Sequence, residues 1–513
     1  LFNMPTPLPK KGCLLIRSEY SVVSLGTENM LLAFSKANLL QKARLQPDKT
    51  KKVYEKFKTD GLFPTLKTVF NKLDTPLPLG YSNAGIVIGI GENVLGYNVG
   101  DRVISNGPHS EYFNSPVNLC AKIPKDVSSD EASFTVIASI SLQGVRLLAP
   151  SLGERIFVFG LGLIGLITVQ LLILNGCEVI SVDFDEKRLK IAKSFGSKII
   201  KIDKQNVIEN KKLLSSFQSS SDGVIIATNT RSNDPIDFAT FVSREGGRIV
   251  LVGSSDIKIN RTDFYSKQLT FQVSKSYGPG RYDKNYEEKG MDYPISSVRW
   301  TLQRNFEAIL SLLGRKKLNF KPLISHNFRL DEIINDYKNF VKNSNLYLGI
   351  LIKYPKNSLP SSKVYNDDVN LKISKNYSNT AFIGAGNYSK RDLIPAFIKA
   401  GAKILGICSI DGLNATHAGK KFKIPYFSTD ANQIINDKNV KNLVVATQHN
   451  SHFDLVCKGF KAKKNIFVEK PICLNLKELE KLKTLFSRKS ENFVTVGFNR
   501  RHSPFIQTIK KLL

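Results

Sequence analysis

The sequence predicts an α/β protein in which a β-rich region is followed by two doubly wound parallel sheets. Short apolar runs separated by Gly, Pro and Asn fill residues 12–125, a spacing typical of strands in a partly open barrel. Two series of alternating strand and helix patterns follow, and parallel strands need such helical crossovers. A polar, Pro/Ser-rich segment at 355–378 separates the two series and has the composition of a linker.

At 513 residues the chain exceeds the size of one hydrophobic core, so two or three domains are expected. We predict a β-rich domain over 1–135 with a return segment at 295–355. The first doubly wound domain is predicted at 136–294, the linker at 355–378 and the second doubly wound domain at 379–513. Because the chain opens at Leu1 and closes inside a helical pattern, we expect a piece of a longer protein.

Individual elements follow from the periodicity of apolar residues. The β-rich region has predicted strands at Cys13–Ile16, Ala84–Ile90, Arg102–Ile104 and Leu119–Ile123. The first series has predicted helices at Glu131–Leu148, Leu163–Leu174 and Glu186–Phe195, and strands at Arg155–Phe159, Glu178–Asp183, Gly223–Ala227 and Gly247–Val252. The second has a helix at Arg391–Ala400 and strands at Thr380–Ile383, Lys403–Cys408, Asn442–Ala446, Asn465–Val468 and Asn492–Val496.

The first glycine-rich turn lies between a predicted strand and helix and contains Gly160, Gly162 and Gly165. In this spacing the first glycine makes a tight turn, the second admits a pyrophosphate, and the third lets helix and strand pack closely. Asp183 ends the next strand, where a carboxylate accepts ribose hydroxyls and repels a 2′-phosphate, which favours NAD over NADP. Asp185 or a neighbouring basic residue could alter that preference, and a turn without a ligand is the alternative.

Residues 12–355 resemble the medium-chain, zinc-type alcohol dehydrogenase superfamily. The resemblance rests on Ser24–Glu28 (Ser-Leu-Gly-Thr-Glu), the Gly100–Val103 turn, Ala121–Pro124 and the glycine turn. It implies a GroES-like domain that supplies the catalytic side and a Rossmann domain that holds NAD or NADP.

The zinc-ligand positions of that superfamily are altered in this sequence. Ser24 stands about where the first cysteine belongs, and Gly80-Tyr81-Ser82 replaces Gly-His-Glu. Hydroxyl groups are poor ligands for a metal that prefers thiolate, imidazole or carboxylate, so we predict no zinc. Tyr81, Thr27, Glu28 and His109 are the candidate catalytic residues of this half, with structural hydrogen bonding as the alternative for each.

The polar, Tyr-rich segment 276–294 follows the last strands of the first sheet. It could cover the cleft or touch a sugar, and a plain surface excursion or an interdomain contact is the alternative.

The second glycine-rich turn contains Gly384 and Gly386, with Ser389 at the third position. Polar clusters end three later strands, at Thr447–His452, Glu469–Pro471 and Gly497–Arg501. Ligands bind an open α/β sheet at the carboxyl ends of its strands, so these clusters are expected to meet in one crevice.

Residues 379–513 resemble the Gfo/Idh/MocA family of sugar and inositol dehydrogenases, on Glu469-Lys470-Pro471 and the Thr447–His452 stretch. The resemblance implies that Lys470 lies by the nicotinamide and assists proton transfer or polarises the alkoxide. It also implies that Thr447, His452, Glu469 and Pro471 line the cofactor pocket; His449 and His452 are not expected to bind metal. The substrate domain of that family has no room in this chain.

The order of the two halves resembles the bacterial bi-domain oxidoreductases of surface-polysaccharide or nucleotide-sugar metabolism. The sequence therefore predicts an NAD(P)-dependent oxidoreductase acting on a hydroxyl or keto group of a sugar or nucleotide sugar. In the alternative, only the C-terminal half is catalytic, and the zinc-less N-terminal half is a nucleotide-binding or assembly module.

The composition and charge of the chain restrict the kinds of binding partner that we expect. The net charge of +30 comes from lysines spread along the chain, with no nucleic-acid-binding motif, so we expect a small-molecule substrate and no nucleic acid. No run of about 18 apolar residues occurs, so no membrane span is expected. The six cysteines include no C-x-x-C pair, which is consistent with reduced thiols in the cytoplasm. A homo-oligomeric state is compatible with the sequence.

Overall fold

The computed structural model describes residues 2–26, 28, 76, 78–203, 206–333, 347–356, 358–369, 379–487 and 490–513. The chain forms two compact units. The first contains the described parts of 9–38 and 78–357, and the second those of 1–8, 39–77 and 358–513. In the parts of the chain that the structure describes, no helix is long and apolar enough to cross a membrane.

The β-rich part of the first unit is one sheet with the order β12-β13-β1-β2-β3-β5, and β4 pairs with β1. Its strands are β1 Cys13–Val23, β2 Asn83–Ile90, β3 Arg102–Ser105, β4 Tyr112–Pro116, β5 Cys120–Lys122, β12 Ile324–Arg329 and β13 Gly349–Lys353. β1 extends past the predicted Ile16 because it pairs with β2, β4 and β13, whose hydrogen bonds hold its polar residues in the ladder. The predicted return segment, 295–355, thus pairs with β1 through its strand β13.

The second sheet of this unit is parallel, with the order β11-β10-β9-β6-β7-β8. Its strands are β6 Arg155–Phe159, β7 Glu178–Asp183, β8 Lys198–Lys201, β9 Ser221–Ile226, β10 Ser243–Leu251 and β11 Thr270–Val273. The α-helices that the structure describes in the first unit are α1 Ser129–Ala132, α2 Thr135–Leu148, α3 Leu163–Leu174, α4 Glu186–Ser194, α5 Val207–Leu213, α6 Asp234–Val242, α7 Arg261–Ser266, α8 Lys284–Glu287 and α9 Leu302–Gly314.

The central strands are apolar because both faces of this sheet are covered. Phe157 packs in a cluster on one face and Val158 in a cluster on the other, and both are fully buried. Such runs are the mark of parallel strands between two helical layers. This explains why the predicted bounds of β6, β7 and α3 match the structure.

One predicted helix of the first unit is two helices. The prediction Glu131–Leu148 is replaced by α1 and α2, which are separated at Ser133 and Phe134. Ser133 Oγ donates to Asp130 O at 2.6 Å, and a local side-chain bond of this kind competes with helical hydrogen bonding. The apolar period alone did not reveal this interruption.

The sheet of the second unit has the order β14-β17-β16-β15-β18-β19-β20. Its strands are β14 Lys363–Tyr365, β15 Asn379–Ile383, β16 Lys403–Cys408, β17 Tyr426–Ser428, β18 Asn442–Val445, β19 Asn465–Val468 and β20 Val494–Val496. Its α-helices are α10 Ile394–Lys399, α11 Gly412–Lys421, α12 Ala431–Ile435, α13 His452–Lys461, α14 Leu476–Phe486 and α15 Pro504–Leu512. The predicted helix Arg391–Ala400 begins as a π-turn, Ser389–Leu393, before α10.

Two segments outside the predicted second domain join this sheet. β14 lies inside the segment predicted as a linker and pairs antiparallel with β17. Thr6, near the start of the chain, donates its amide to Ser361 O at 2.7 Å, and its carbonyl accepts from Thr429 Oγ1. The first residues of the chain therefore pack with the second unit.

Candidate cofactor sites and acid–base groups

The first glycine turn has the geometry that a bound diphosphate requires. Gly160 has a φ of +89°, which favours glycine, and its amide donates to Val182 O at 2.9 Å. A Cβ on Gly165 would lie 1.9 Å from Gly160 O, whereas a Cβ on Gly162 would have no described atom within 4 Å. The turn is therefore closed on the protein side and open in front of α3, where unpaired helix amides favour an anion.

Asp183 lies at the end of β7 beside this turn and is 4% exposed. Its Oδ2 accepts from Leu161 N at 2.6 Å, and its Oδ1 accepts from Asp185 N at 2.9 Å. Each carboxylate oxygen has a second lone pair, so the two amides orient the group and leave capacity for ribose hydroxyls. Asp185 is used differently, because it caps α4 by accepting from the amides of Lys187 and Arg188.

The second glycine turn repeats the first. Gly384 has a φ of +115°, and its amide donates to Cys408 O at 2.8 Å. A Cβ on Gly384 would lie 2.3 Å from Ala446 O, and one on Gly386 would have no described atom within 4 Å. Ser389 at the third position is buried, and its Oγ has no hydrogen-bond partner among the described residues.

The polar strand ends of the second unit do come together. Asn499, after β20, donates from Nδ2 to Tyr388 Oη of the glycine turn at 3.0 Å and to Glu469 Oε1 after β19 at 3.3 Å. Thr447, after β18, hydrogen-bonds through Oγ1 with Ser451 Oγ at 2.6 Å. These contacts build one polar rim around the open side of the turn.

Lys470 follows Glu469 on this rim with an exposed side chain, and its peptide bond to Pro471 is cis. His452 is fully buried behind it. The His452 ring nitrogens lie 2.7 Å from Pro471 O and 3.2 Å from Thr447 O. His452 therefore positions the ends of β18 and β19 from inside, while Lys470 is the group that faces outward.

In the first unit the structure brings Glu28 and His109 together. His109 Nε2 lies 3.1 Å from Glu28 Oε1, with side-chain exposures of 9% and 1%. His109 Nδ1 lies 2.8 Å from Ser21 Oγ, which lies 2.8 Å from Tyr354 Oη. Burial raises the pKa of Tyr354, so its hydroxyl stays protonated. Both ring nitrogens of His109 thus have partners in the interior of the first unit.

Tyr81 lies next to this network and packs on the polar segment after the first parallel sheet. Its ring stacks on Tyr277 with centroids 6.4 Å apart, and Asn106 Nδ2 donates to both Tyr81 O and Tyr277 Oη. Burial raises the pKa of Tyr277 to about 12. The segment 276–294 is therefore not a plain surface excursion, since Tyr277 and Tyr286 enter the core.

Sequence analysis missed Ser21, Asn106, Tyr277 and Tyr354 as partners of the candidate residues. Tyr354 is 333 positions from Ser21, and no local pattern links residues so far apart. Thr27, also a candidate, lies outside the described residues. Within the described ranges, no group of three or more His, Cys, Asp or Glu side chains could hold a metal ion.

Comparisons with known proteins agree with this architecture. Residues 164–290 match the family described as zinc-binding dehydrogenase. Residues 378–498 match the oxidoreductase family with an NAD-binding Rossmann fold.

Individual relatives match part of the chain at low identity. D-xylulose reductase of Saccharomyces cerevisiae is 23% identical over 302 residues, which cover 52% of this chain and 78% of that protein. Sorbitol dehydrogenase of Rattus norvegicus is 23% identical over 315 residues, 55% of this chain and 81% of that protein. A structure from Escherichia coli CFT073, described as a short chain alcohol dehydrogenase complexed with NADH, has a TM-score of 0.50 at 18% identity. It covers 68% of this chain and 93% of that chain, and it shows the fold alone.

These findings confirm the predicted fold class: a medium-chain dehydrogenase fold followed by a second Rossmann domain. They also confirm the predicted enzyme class, because both matched families are oxidoreductases. The protein is an NAD(P)-dependent dehydrogenase.

The contrast between Gly165 and Gly162 predicts a difference in stability. Gly165→Ala should lower the free energy of unfolding by about 1–3 kcal/mol, because its methyl group meets Gly160 O. Gly162→Ala should change it by less than about 0.5 kcal/mol, since the added methyl group faces open space. Thermal and urea unfolding measure both, and equal losses of stability would contradict the assigned packing.

The same geometry predicts the loss of one bound cofactor per blocked turn. Gly162→Val and Gly386→Val place a branched side chain where each turn is open, so each should remove one equivalent of bound dinucleotide while the fold is kept. Calorimetric titration of the parent protein, the two variants and the double variant gives the stoichiometries. Unchanged stoichiometry in both single variants would refute the two-site assignment.

Proposed function

We propose that the protein transfers hydride between NAD(P) and a hydroxyl or keto carbon of a polyol or sugar, free or nucleotide-linked. A role in surface-polysaccharide metabolism is part of this proposal. One observation carries it: each glycine turn is open on its ligand side, and the second opens beside a rim that carries Lys470. The relatives named for D-xylulose and sorbitol support a polyhydroxylated substrate.

The residues that would hold the cofactors are those of the two turns. Gly160, Gly162 and Gly165 with Asp183 would bind the first dinucleotide, and Gly384, Gly386 and Ser389 with Thr447 the second. The nicotinamide ring, when bound, supplies or accepts the hydride. The protein groups then have to hold the substrate and move one proton.

We assign the transfer of that proton to Lys470. When an alcohol is oxidised, the neutral amine accepts the hydroxyl proton; when a ketone is reduced, the ammonium donates a proton to the forming alkoxide oxygen. Glu469 and Asn499 are joined by a hydrogen bond and fix the strand end from which Lys470 projects. Because Lys470 is exposed in this structure, substrate can reach it without rearrangement of the core.

We also propose that the first unit works without zinc. Ser24 and Tyr81, the residues at the zinc-ligand positions, carry hydroxyl groups, which do not suit that metal. No catalytic step in this proposal uses a metal ion. Tyr81 is the partly exposed candidate of this unit, and the buried Glu28–His109 pair lies in the same unit.

One observation favours the alternative in which only the C-terminal half is catalytic. His109 has Glu28 on one ring nitrogen and Ser21 on the other, and Tyr354 closes the chain of hydrogen bonds. A ring engaged on both sides holds the segments around it together and has no nitrogen directed at a substrate. In that case the first unit would be a nucleotide-binding or assembly module.

Replacement of Lys470 separates catalysis from cofactor binding. Lys470→Ala should lower kcat by about 10²- to 10⁴-fold, the usual contribution of a positioned acid or base, with the affinity for dinucleotide unchanged. Lys481→Ala, which removes an exposed lysine from α14, is the matched control. Turnover is followed as NADH formation with a panel of polyols and nucleotide sugars, and undiminished turnover in Lys470→Ala would refute the assignment.

The same assay distinguishes the two candidate functions. Tyr81→Phe and His109→Gln should leave turnover intact if only the second unit is catalytic. A loss of turnover in either variant, with unfolding temperature preserved, would place chemistry in the first unit as well.

A further inference from the structure

One equivalent backbone hydrogen bond in each unit aligns the glycine turn and the end of the neighbouring strand in one unit with those in the other. The first glycine of each turn donates its amide to the neighbouring strand, Gly160 to Val182 O and Gly384 to Cys408 O. Asp183 follows Val182, and Ser409 follows Cys408. Ser409 therefore occupies in the second unit the position that the ribose-binding carboxylate occupies in the first.

The next acidic residue along the chain after Ser409 does not replace that carboxylate. Asp411 corresponds to Asp185, because each caps the following helix through its side chain. Its Oδ1 accepts from Leu413 N at 3.0 Å and its Oδ2 accepts from Asn414 Nδ2 at 2.6 Å. The end of β16 thus presents a half-buried hydroxyl, which donates to a phosphate oxygen as readily as to a ribose oxygen.

A buried lysine contacts the helix that follows this position. Lys390 follows Ser389, as Leu166 follows Gly165, and both side chains are buried, with exposures of 8% and 0%. Lys390 Nζ donates to Asn414 Oδ1 at 3.0 Å, on the first turn of the helix that follows Ser409. A lysine thus follows the second glycine turn where a leucine follows the first, and it contacts the first turn of the helix after β16. In dinucleotide folds the ribose that carries the 2′-substituent lies near the end of this strand.

We infer that the second unit binds NADP(H), with Ser409 and Lys390 recognising the 2′-phosphate, while the first unit binds NAD(H). Two differences between the aligned sites carry the inference. A carboxylate that would repel the phosphate is replaced by a hydroxyl, and a buried leucine is replaced by a buried cation that attracts it. The inference rests on the proposed function in one respect, namely that both turns bind a dinucleotide.

The test uses the whole protein with Gly162→Val, which blocks the first turn, and measures binding by calorimetry. NADPH should bind at least about tenfold more tightly than NADH, as one charge-assisted contact implies. Adenosine 2′,5′-bisphosphate should likewise bind more tightly than adenosine 5′-monophosphate, which isolates the 2′-phosphate from the rest of the cofactor.

Two substitutions locate the preference. Lys390→Leu, which inserts the residue found at this position in the first unit, should lower NADPH affinity about tenfold and leave NADH affinity unchanged. Lys399→Leu, at an exposed lysine of α10, is the matched control. Ser409→Asp should reverse the preference in favour of NADH, and it keeps the test decisive if Lys390→Leu fails to fold.

The outcomes separate the inference from the proposed function. NADH binding as tightly as NADPH in the Gly162→Val protein, or equal losses for both cofactors in Lys390→Leu, would overturn the inference alone. Failure of all four nucleotides to bind would overturn the two-site function as well. A preference for NADPH that Ser409→Asp reverses supports both.

Discussion

The close approach of backbone to ligand at two glycine turns is the constraint on which the rest of this structure depends. A diphosphate can reach the amides at the start of a helix only if no side chain stands in front of them. Gly162 and Gly386 meet that condition on the ligand side, while Gly160 and Gly384 adopt positive φ values that let the chain reverse. Everything else in each site is arranged around these turns.

Parallel strands explain why residues so far apart in sequence share one rim. Each right-handed crossover returns the chain to the same edge of the sheet, so polar residues placed after β18, β19 and β20 converge. Tyr388, Glu469 and Asn499 are joined by hydrogen bonds for this reason. The buried His452 holds two of these strand ends in place through their carbonyl oxygens.

The two units share an architecture and differ in their electrostatics. The first unit has a buried carboxylate, Asp183, beside its glycine turn, whereas the second has the hydroxyl of Ser409 and the buried Lys390. The first unit also contains the hydrogen-bonded series that runs from Glu28 through His109 and Ser21 to Tyr354. Similar backbones thus carry different charges beside their glycine turns, because a few side chains at the strand ends decide the charge.

The sequence by itself determined the strand–turn–helix units, the fold class and the enzyme class. Continuous apolar runs, glycine spacing and polar residues after strands are local patterns, and local backbone sterics and burial give them one structural meaning; β6, α3 and β7 accordingly have the predicted bounds. Only the tertiary structure decided which distant side chains meet. The pairing of Glu28 with His109 and the engagement of both His109 nitrogens depend on contacts between segments that are distant in sequence. The break between α1 and α2 depends on one local side-chain hydrogen bond. The periodicity of apolar residues in the sequence predicts neither the long-range contacts nor the local bond.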